Sequence, residues 1–152
     1  MPYPARSMMI DLHKMRWQLT IHEGIRIKPY LDSVGKLTIG VGRNLDDTEL
    51  SDDEVELMLN NDIERAAKNA ERFSWWRELD SVRQMVVVDM LFNLGLAGFA
   101  KFRKTISFIG AGDYSKAAEE MLDSKWASQV GSRAARLAKM MRTGDWPFKE
   151  TL

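Results

Sequence analysis

Two acidic side chains and a threonine in the N-terminal part of the sequence could together carry out acid–base chemistry on a sugar. Glu23 precedes Gly24, a common helix stop, so we expect Glu23 at the C-terminal end of a helix. Asp32 falls in a predicted turn, and Thr38 falls on the strand that follows. Cleavage of a glycosidic bond needs two carboxyl groups, one to protonate the leaving oxygen and one to manage the water or the developing cation. Each residue alone has an ordinary structural interpretation, and only the combination favours catalysis.

The elements that must position these residues can be predicted from periodicity and turn residues. A first helix could begin at Ser7 or Asp11 and end near His22. Residues 25–28 alternate apolar and charged side chains, as a half-buried strand does, and residues 37–41 are expected to return as its antiparallel partner. This small β unit is the strand-rich part of the sequence.

The remainder of the sequence predicts helices. Ser51 and Glu54 form a capping box that opens a long helix, over about residues 51–72. Residues 82–92 are apolar nearly all round, which is typical of a helix at the centre of an α-helical core, although a strand is the alternative for the three valines within it. Shorter helices are predicted at 102–109, 114–122 and 133–141. The expected fold class is α+β, mostly α.

Composition limits the chemistry that is available. The chain has no cysteine, which excludes disulfides, thiolate nucleophiles and zinc sites built on Cys. Its two histidines, His13 and His22, are too few for a His-rich metal site. We therefore expect no metal and no cofactor. We expect no apolar run long enough to span a bilayer, and residues 1–7 lack the order of a secretory signal peptide, so a cytoplasmic protein is expected.

Charge is unevenly distributed along a chain whose formal net charge is zero. Acidic residues dominate residues 46–62, and basic residues dominate residues 125–149. The basic end would favour an anionic polymer or surface, although two solvated helix faces are the simpler explanation of both stretches. The basic cluster is short and holds few interleaved aromatic residues, which disfavours nucleic acid as a partner.

The segment from Glu23 to Asn44 resembles the active-site segment of the phage-type lysozymes, glycoside hydrolase family 24. The matching residues are Glu23-Gly24, Arg26-Ile27-Lys28-Pro29-Tyr30, Asp32 and Thr38-Ile39-Gly40-Val41-Gly42. Later matching segments are Asn60-Asn61-Asp62, Ser81-Val82-Arg83, Leu91-Phe92-Asn93-Leu94-Gly95, Ser124-Lys125-Trp126, Arg133-Ala134-Ala135-Arg136 and Arg142-Thr143-Gly144-Asp145-Trp146. The resemblance covers nearly the whole chain after its first helix begins.

The resemblance implies a single lysozyme-like domain over residues 1–152. Within it, the family pattern implies a small N-terminal lobe at about 13–60, a connecting helix at about 51–72, and a helical lobe at about 73–146 that also includes the N-terminal helix. The family binds sugar in the cleft between its lobes.

The resemblance also implies roles for individual residues. Glu23 would be the general acid, and Asp32 would stabilise positive charge at the anomeric carbon and hold the attacking water together with Thr38. Arg133 lies where the family places a cation that pairs with the catalytic Glu, and is assigned catalytic support. Positions implied to bind substrate are Asn44, Phe92, Asn93, Thr105 and Trp126.

Some of these assignments have alternatives, and the chain departs from the T-even pattern. Phe92 and Trp126 could equally be core residues, and Asn93 could be a helix cap. Arg43 replaces a histidine of the T-even enzyme, and the segment between Asn44 and the long helix is much shorter. By analogy with a pair in the family, we expect Arg43 to form an ion pair with Asp62.

The resemblance predicts a muramidase that acts on bacterial peptidoglycan as a monomer and lyses a host from inside, with a holin giving it access to the wall. The C-terminal basic helix could in addition bind anionic lipopolysaccharide. A lytic transglycosylase is the enzymatic alternative. A membrane-active cationic protein that works through Arg133 to Met141 is the alternative of another class.

Overall fold

A computed structural model describes residues 9–148 of the chain. It divides into two compact units between Val55 and Glu56, here called the N-terminal unit and the C-terminal unit. The fold is α+β and mostly α, as predicted. The lobe boundaries implied by the resemblance stay a prediction.

The N-terminal unit consists of one helix and a small sheet. Its elements are α1 (Leu12–Glu23), β1 (Arg26–Leu31), β2 (Leu37–Gly40) and β3 (Arg43–Asn44). The side chain of Asp11 accepts a hydrogen bond from the N–H of Lys14 at 3.0 Å, so Asp11 caps the start of this helix, as one of the two predicted starts. The other predicted start, Ser7, lies outside the described residues. Gly24, at φ 73°, ends the helix, and its N–H donates to the carbonyl of Thr20 at 2.9 Å.

The three strands form an antiparallel sheet in the order β1-β2-β3. Tyr30 pairs with Thr38, and Thr38 pairs with Asn44, so Thr38 lies at the centre of the sheet. The β1–β2 register shifts between Arg26 and Tyr30. Pro29 lies in this interval and has no N–H to contribute to a ladder. Strand β3 was not predicted, because two residues are too few to show an alternating pattern.

Helix α2 (Asp52–Ala70) begins in the N-terminal unit and continues into the C-terminal unit. The predicted capping box is confirmed. The N–H of Ser51 donates to Oε1 of Glu54 at 3.0 Å, and the N–H of Glu54 donates to the Ser51 hydroxyl at 3.4 Å.

The predicted ion pair between Arg43 and Asp62 is wrong. Arg43 instead forms a double contact with Glu54, in which its Nη1 and Nη2 lie 3.1 and 2.9 Å from Oε1 and Oε2. Asp62 pairs with Arg65 on its own helix at 2.9 Å. The capping glutamate can serve both Ser51 and Arg43 because a carboxylate has two oxygens and several acceptor positions.

The C-terminal unit is helical. Its elements after α2 are a 3-10 helix (Trp76–Glu78), α3 (Ser81–Ala100), α4 (Arg103–Gly110), α5 (Tyr114–Leu122), α6 (Lys125–Val130) and α7 (Ser132–Thr143). The three shorter helices that the sequence predicted are confirmed in α4, α5 and α7. Helix α6 was not predicted, because six residues give less than two turns of periodicity.

The hydrophobic core of the described residues lies in the C-terminal unit. Helix α3 contributes Val86, Val87, Met90 and Phe99, all fully buried, and the helix interpretation of the valine run is confirmed. Helix α7 packs against α3 and against α5. Gly95 interrupts α3 with φ 72° and ψ 170°.

By length and composition alone, helix α3 could cross a bilayer, although the sequence analysis expected no apolar run of that length. The central helix of a folded core meets the same criterion. Its kink at Gly95 and the ionised side chains of Arg83 and Asp89, both held by other elements of the unit, identify it as a core helix.

Candidate active site

The carboxyl group of Glu23 lies directly against the backbone of Gly42. Glu23 is the last residue of α1, and Gly42, at φ 67°, belongs to the turn between β2 and β3. A Cβ atom placed on Gly42 would lie 2.8 Å from both Cδ and Oε2 of Glu23, closer than a real contact allows. Residue 42 must therefore be glycine for two reasons: its φ is positive, and the nearby carboxyl group leaves no room for a Cβ atom. No local sequence pattern shows that the residue that approaches Gly42 is Glu23.

Asp32 follows β1 and is held by the turn that leads into β2. Its Oδ1 accepts hydrogen bonds from the N–H groups of Val34 at 3.0 Å and Lys36 at 2.8 Å. No hydrogen bond from a residue between 9 and 148 reaches Oδ2. The turn therefore fixes the orientation of the carboxyl group and leaves one oxygen for a water molecule or a substrate.

Lys36 joins Asp32 to Thr38 through its main chain. Its N–H donates to Asp32, and its carbonyl accepts a hydrogen bond from the Thr38 hydroxyl at 2.9 Å. Thr38 is only 3% exposed, so this bond sets the direction of a nearly buried hydroxyl. Since that hydroxyl donates its hydrogen to the Lys36 carbonyl, it can only accept in any further hydrogen bond. The sequence singled out Asp32 and Thr38 but gave no sign of the residue that connects them.

These acceptors suit a water molecule that is about to attack. A water that donates one hydrogen to Asp32 Oδ2 and the other to Thr38 Oγ1 would keep a lone pair free. Water-holding by the two residues stays a prediction, and the donor directions of Thr38 and Lys36 are consistent with it.

The side chain of Asn44 is hydrogen-bonded within the turn that follows β3. Its Oδ1 accepts from the N–H groups of Asp46 and Asp47 at 3.0 and 3.1 Å, and its Nδ2 donates to Asp47 Oδ2 at 2.8 Å. The predicted contact with substrate would have to compete with these bonds, and it stays a prediction.

Arg133 is held by Asp89 within the C-terminal unit. Its Nη2 and Nε lie 2.7 and 2.9 Å from Oδ1 of Asp89, which joins α7 to α3. Both residues line a cavity of about 570 Å3 together with Phe92, which is 46% exposed and therefore not a pure core residue. The pairing of Arg133 with Glu23 implied by the resemblance would join the two units and stays a prediction.

Trp126, Asn93 and Thr105 lie near a second concave surface of the same unit. Trp126 is 4% exposed, its Nε1 donates to Asn93 Oδ1 at 2.8 Å, and its ring meets that of Phe102 edge-on at 5.8 Å. Trp126 therefore packs as a core residue, with one edge on a groove of about 710 Å3 that Thr105 also lines. Substrate binding by these residues stays a prediction.

The N-terminal unit therefore combines a carboxyl group at a helix end with a separate carboxylate linked to a threonine hydroxyl. A family comparison gives this arrangement its meaning. Residues 20–142 match the model of the phage lysozyme family.

The chain belongs to the phage lysozyme family.

The curated relatives are distant. A protein of Dictyostelium discoideum named probable T4-type lysozyme 2 is 27% identical over 156 residues, covering 83% of this chain and 92% of the relative. A second Dictyostelium discoideum protein, probable T4-type lysozyme 1, is 24% identical with the same coverage of 83% and 92%. The pre-baseplate central spike protein Gp5 of Enterobacteria phage T4 is 26% identical, and the matched region is 26% of its length. Membership of this family supports a lysozyme activity, which is glycoside hydrolysis with peptidoglycan as substrate.

Proposed function

We propose that this phage lysozyme is an endolysin muramidase that hydrolyses the β-1,4 bond between N-acetylmuramic acid and N-acetylglucosamine. One observation carries the proposal: the Glu23 carboxyl group rests on Gly42, while the Lys36 main chain connects Asp32 and Thr38. The two carboxyl groups thus have separate supports, as separate roles require.

Glu23 would donate a proton to the glycosidic oxygen as the bond breaks. Positive charge then develops at the anomeric carbon, and the Asp32 carboxylate would stabilise it. Asp32 and Thr38 would direct the water that completes the reaction. Arg133 would act as a supporting cation, held in position by Asp89.

We predict inversion of configuration at the anomeric carbon. A water shared by Asp32 and Thr38 needs space between the carboxyl groups, roughly 6.5–9.5 Å in inverting enzymes. Proton NMR of the initial product would reveal its anomeric form. A product of retained configuration, or a covalent sugar adduct on Asp32, would contradict this prediction.

Substitution of Glu23→Gln tests the general acid directly. The amide keeps the shape of the side chain but cannot donate the proton, so we expect turnover to fall by about 10²–10⁴-fold with an unchanged circular dichroism spectrum. The exposed Glu71→Gln is the matched control and should retain parental activity. Parental clearing of permeabilised cells by Glu23→Gln would refute the role of Glu23.

Product analysis separates the muramidase from its enzymatic alternatives. Mass spectrometry of borohydride-reduced digests should show reduced N-acetylmuramic acid at the new ends. A 1,6-anhydro end would identify a lytic transglycosylase instead, and reduced N-acetylglucosamine would identify cleavage of the other bond.

The endolysin role also implies a route to the wall. We propose synthesis in the host cytoplasm and release to the periplasm and cell wall at lysis, through a membrane lesion made by a holin. Expression with and without a holin would test this route, because lysis should require both proteins. Lysis by the chain alone would contradict the need for a holin.

The membrane-active alternative is less well supported. It needs an apolar face on α7, yet Leu137, Met140 and Met141 are buried within the C-terminal unit. The bases of α7 remain available for a weaker surface role, and Lys139 and Arg142 are exposed. Lys149, which belongs to the same basic stretch, lies outside the described residues.

We propose that these bases attract anionic wall polymer or lipopolysaccharide. Replacing Lys139 and Arg142 by Gln should weaken binding to walls mainly at low salt, since such attraction is screened over about 8 Å at physiological ionic strength. Hydrolysis of short soluble oligosaccharides should not change. Equal loss on both substrates across a salt series would show that the two bases are structural.

A further inference from the structure

One peptide unit lies at the centre of the hydrogen bonds that connect Asp32 to Thr38. It joins Lys36 to Leu37. Its carbonyl, which belongs to Lys36, accepts from the Thr38 hydroxyl at 2.9 Å and from the main-chain N–H of Asp32, also at 2.9 Å. A carbonyl oxygen has two lone pairs, so these two donors fill its acceptor positions. The orientation of this peptide unit therefore sets the direction in which the Thr38 hydroxyl donates.

The other end of the same peptide unit is bound by a carboxylate. The N–H of Leu37 donates to Oδ2 of Asp46 at 2.8 Å. A hydrogen bond to a carboxylate is stronger than one between two neutral groups. It also polarises the peptide unit and makes the Lys36 carbonyl a better acceptor, because hydrogen bonds in a chain strengthen one another. Asp46 is therefore connected to the Thr38 hydroxyl through a single peptide unit.

Asp46 is itself held by the turn that follows β3. Its N–H donates to Oδ1 of Asn44 at 3.0 Å, and an asparagine side chain commonly closes a turn in this way. The N–H of Leu45 donates to the carbonyl of Leu37 at 2.7 Å. Both main-chain groups of Leu37 are thus bonded to this turn, so the turn and the start of β2 are held together at two points.

The neighbouring acid in the same turn makes different contacts. The side chain of Asp47 is 60% exposed, and its Oδ1 lies 3.3 Å from Nζ of Lys36. Its Oδ2 accepts from Nδ2 of Asn44 at 2.8 Å. Asp47 therefore bonds to the side chain of Lys36, whereas Asp46 bonds to the peptide unit that follows Lys36. The two acids allow a comparison of a contact to the peptide unit with one that bypasses it.

We propose that Asp46 is a positioning residue of the hydrolysis. It holds the peptide unit between Lys36 and Leu37 so that the Thr38 hydroxyl donates to Lys36 and presents its lone pairs to the attacking water. This inference rests on the proposed function, in which Asp32 and Thr38 direct that water. Asp46 needs no contact with the substrate or the water, because it acts through the peptide unit. The first acid of the stretch over residues 46–62 thus has a role beyond solvation of a helix face.

Substitution of Asp46→Ala should lower kcat and leave KM almost unchanged. The peptide unit orients a group that directs the water, and the water forms its new bond only in the transition state. Removal of an interaction of that kind lowers kcat and kcat/KM together. A misplacement of about 1 Å can cost on the order of 10²-fold in rate, and loss of one hydrogen bond should displace the hydroxyl by less. We therefore expect kcat on soluble glycan to fall about tenfold.

Substitution of Asp46→Asn tests whether the acceptor oxygen is what matters. The amide oxygen can still accept from the N–H of Leu37, although it carries no charge. We expect this variant to recover most of the parental kcat, to within about threefold. A kcat as low as that of Asp46→Ala would overturn the proposal. Thermal unfolding of both variants should be measured alongside, since a loss of kcat that only follows a loss of folded protein would also overturn it.

Substitution of Asp47→Ala is the matched control. It removes a carboxylate from the same turn and leaves the hydrogen bond between Leu37 and Asp46 in place. We expect this variant to keep the parental kcat. A fall equal to that of Asp46→Ala would overturn the proposal, because the turn as a whole would then support catalysis and the contact to the peptide unit would have no special part.

NMR of the full-length chain tests the contact itself without any need for turnover. A hydrogen bond to a carboxylate moves an amide proton downfield and slows its exchange with solvent. In Asp46→Ala, we expect the amide proton of Leu37 to move upfield and to exchange about tenfold faster. In Asp47→Ala, it should stay near the parental values. An unchanged Leu37 amide in Asp46→Ala would overturn the proposal.

The two measurements together distinguish this inference from the proposed function. We expect Asp46→Ala to lose both the Leu37 hydrogen bond and most of its kcat. If the parent hydrolyses glycan and Asp46→Ala loses the hydrogen bond but keeps the parental kcat, the hydrolysis stands and the positioning role of Asp46 is wrong. If the parent itself does not hydrolyse glycan, the proposed function is wrong, and the positioning role fails with it.

Discussion

The N-terminal unit and the C-terminal unit of this lysozyme are each stabilised by different interactions. Among the described residues of the N-terminal unit, Thr38 is the one that is buried, and α1 buries no side chain. The buried apolar residues of the C-terminal unit, by contrast, form one continuous cluster. The proposed catalytic residues thus lie where turns and hydrogen bonds set the geometry, and the groove that Thr105 and Trp126 line lies on a packed core.

Because of this difference, a substitution in the C-terminal unit should mainly change stability, and one in the N-terminal unit should mainly change catalysis. A packed core resists loss of volume, so deletions there should lower stability. In the turns of the N-terminal unit, a few hydrogen bonds and positive φ angles set the positions of the proposed catalytic side chains. Small changes there should alter catalysis more than folding. Substitutions in each unit can therefore break or support the contrast.

Phe99→Ala should cause the largest loss of stability. Phe99 is fully buried on α3 and meets Phe73 edge-on at 5.4 Å, so truncation should cost about 3–5 kcal/mol in the free energy of unfolding. Ile27→Ala, at an exposed position of β1, should change stability by less than about 0.5 kcal/mol. Denaturant unfolding of both variants measures the difference. Similar costs at both positions would show that the contrast between the units is wrong.

Local features of the fold could be predicted from the sequence better than ion-pair partners that are distant along the chain. The end of α1 at Gly24 and the capping box at Ser51 follow from chemistry within one turn of the chain, and both are confirmed. The partner of Arg43 required a three-dimensional contact, and the choice of Asp62 over Glu54 was wrong. Glu54 was predicted as the capping partner of Ser51 and not as a partner of Arg43, but its carboxylate serves both residues.

Gly42→Ala should reduce catalysis strongly with a modest effect on folding. A methyl group at residue 42 would meet the Glu23 carboxyl group at 2.8 Å and displace it. Because a misplacement of about 1 Å can cost on the order of 10²-fold in rate, we expect a fall in kcat of that size. Activity on soluble glycan and thermal unfolding should be measured together.

Gly112→Ala is the matched control for Gly42→Ala. Gly112 has a similar φ of 73°, and a Cβ atom there would meet nothing within 4 Å. Both variants should lose about 1 kcal/mol from backbone strain, and only Gly42→Ala should lose turnover. Comparable kcat values for the two variants would separate Gly42 from the Glu23 geometry.

The same reasoning explains which parts of the site the sequence could predict. Glu23, Asp32 and Thr38 were proposed because their types suit the chemistry and their spacing matches a family. Lys36 acts through its main-chain N–H and carbonyl, which every residue type has except for the N–H of proline, so its identity carried no signal. The groove that Thr105 and Trp126 line brings together residues from four helices, and no local pattern marks it.

Asn93→Ala should have an intermediate effect. The buried Nε1 of Trp126 would lose its acceptor, at a cost of about 1–3 kcal/mol in the free energy of unfolding. Asn93→Asp retains an acceptor oxygen and should recover most of that stability. If Asn93→Asp restores stability without restoring activity, the predicted contact of Asn93 with substrate gains support. Full recovery of both would make Asn93 a structural residue only.

The smallest predicted effect concerns the connection between β3 and the first turn of α2. The side-chain hydrogen bond from Arg43, followed by those from the hydroxyl and the N–H of Ser51, lowers the pKa of Glu54 to about 2. An unfolded glutamate titrates near pH 4.3, so the folded state holds the ionised form more strongly. The resulting stabilisation is complete above pH 4.3 and is lost as the pH falls towards 2.

Glu54→Gln should therefore be less stable than the parent at pH 7, and the difference should shrink as the pH falls from about 4.3 towards 2. Glutamine can still close the capping box with Ser51, so the helix start is retained and the ionic contribution is removed. The pKa of Asp80 is also lowered from its ordinary value. Partial burial raises this pKa, but the side-chain and backbone hydrogen bonds from Arg83 outweigh that rise, and this contribution cancels because both proteins contain it. Urea unfolding of the parent, Glu54→Gln and the control Glu71→Gln at several pH values measures the effect. A stability difference that does not vary with pH would mean that the Arg43–Glu54 contact acts by geometry alone, and that charge contributes nothing to the hydrogen-bonded frame of the N-terminal unit.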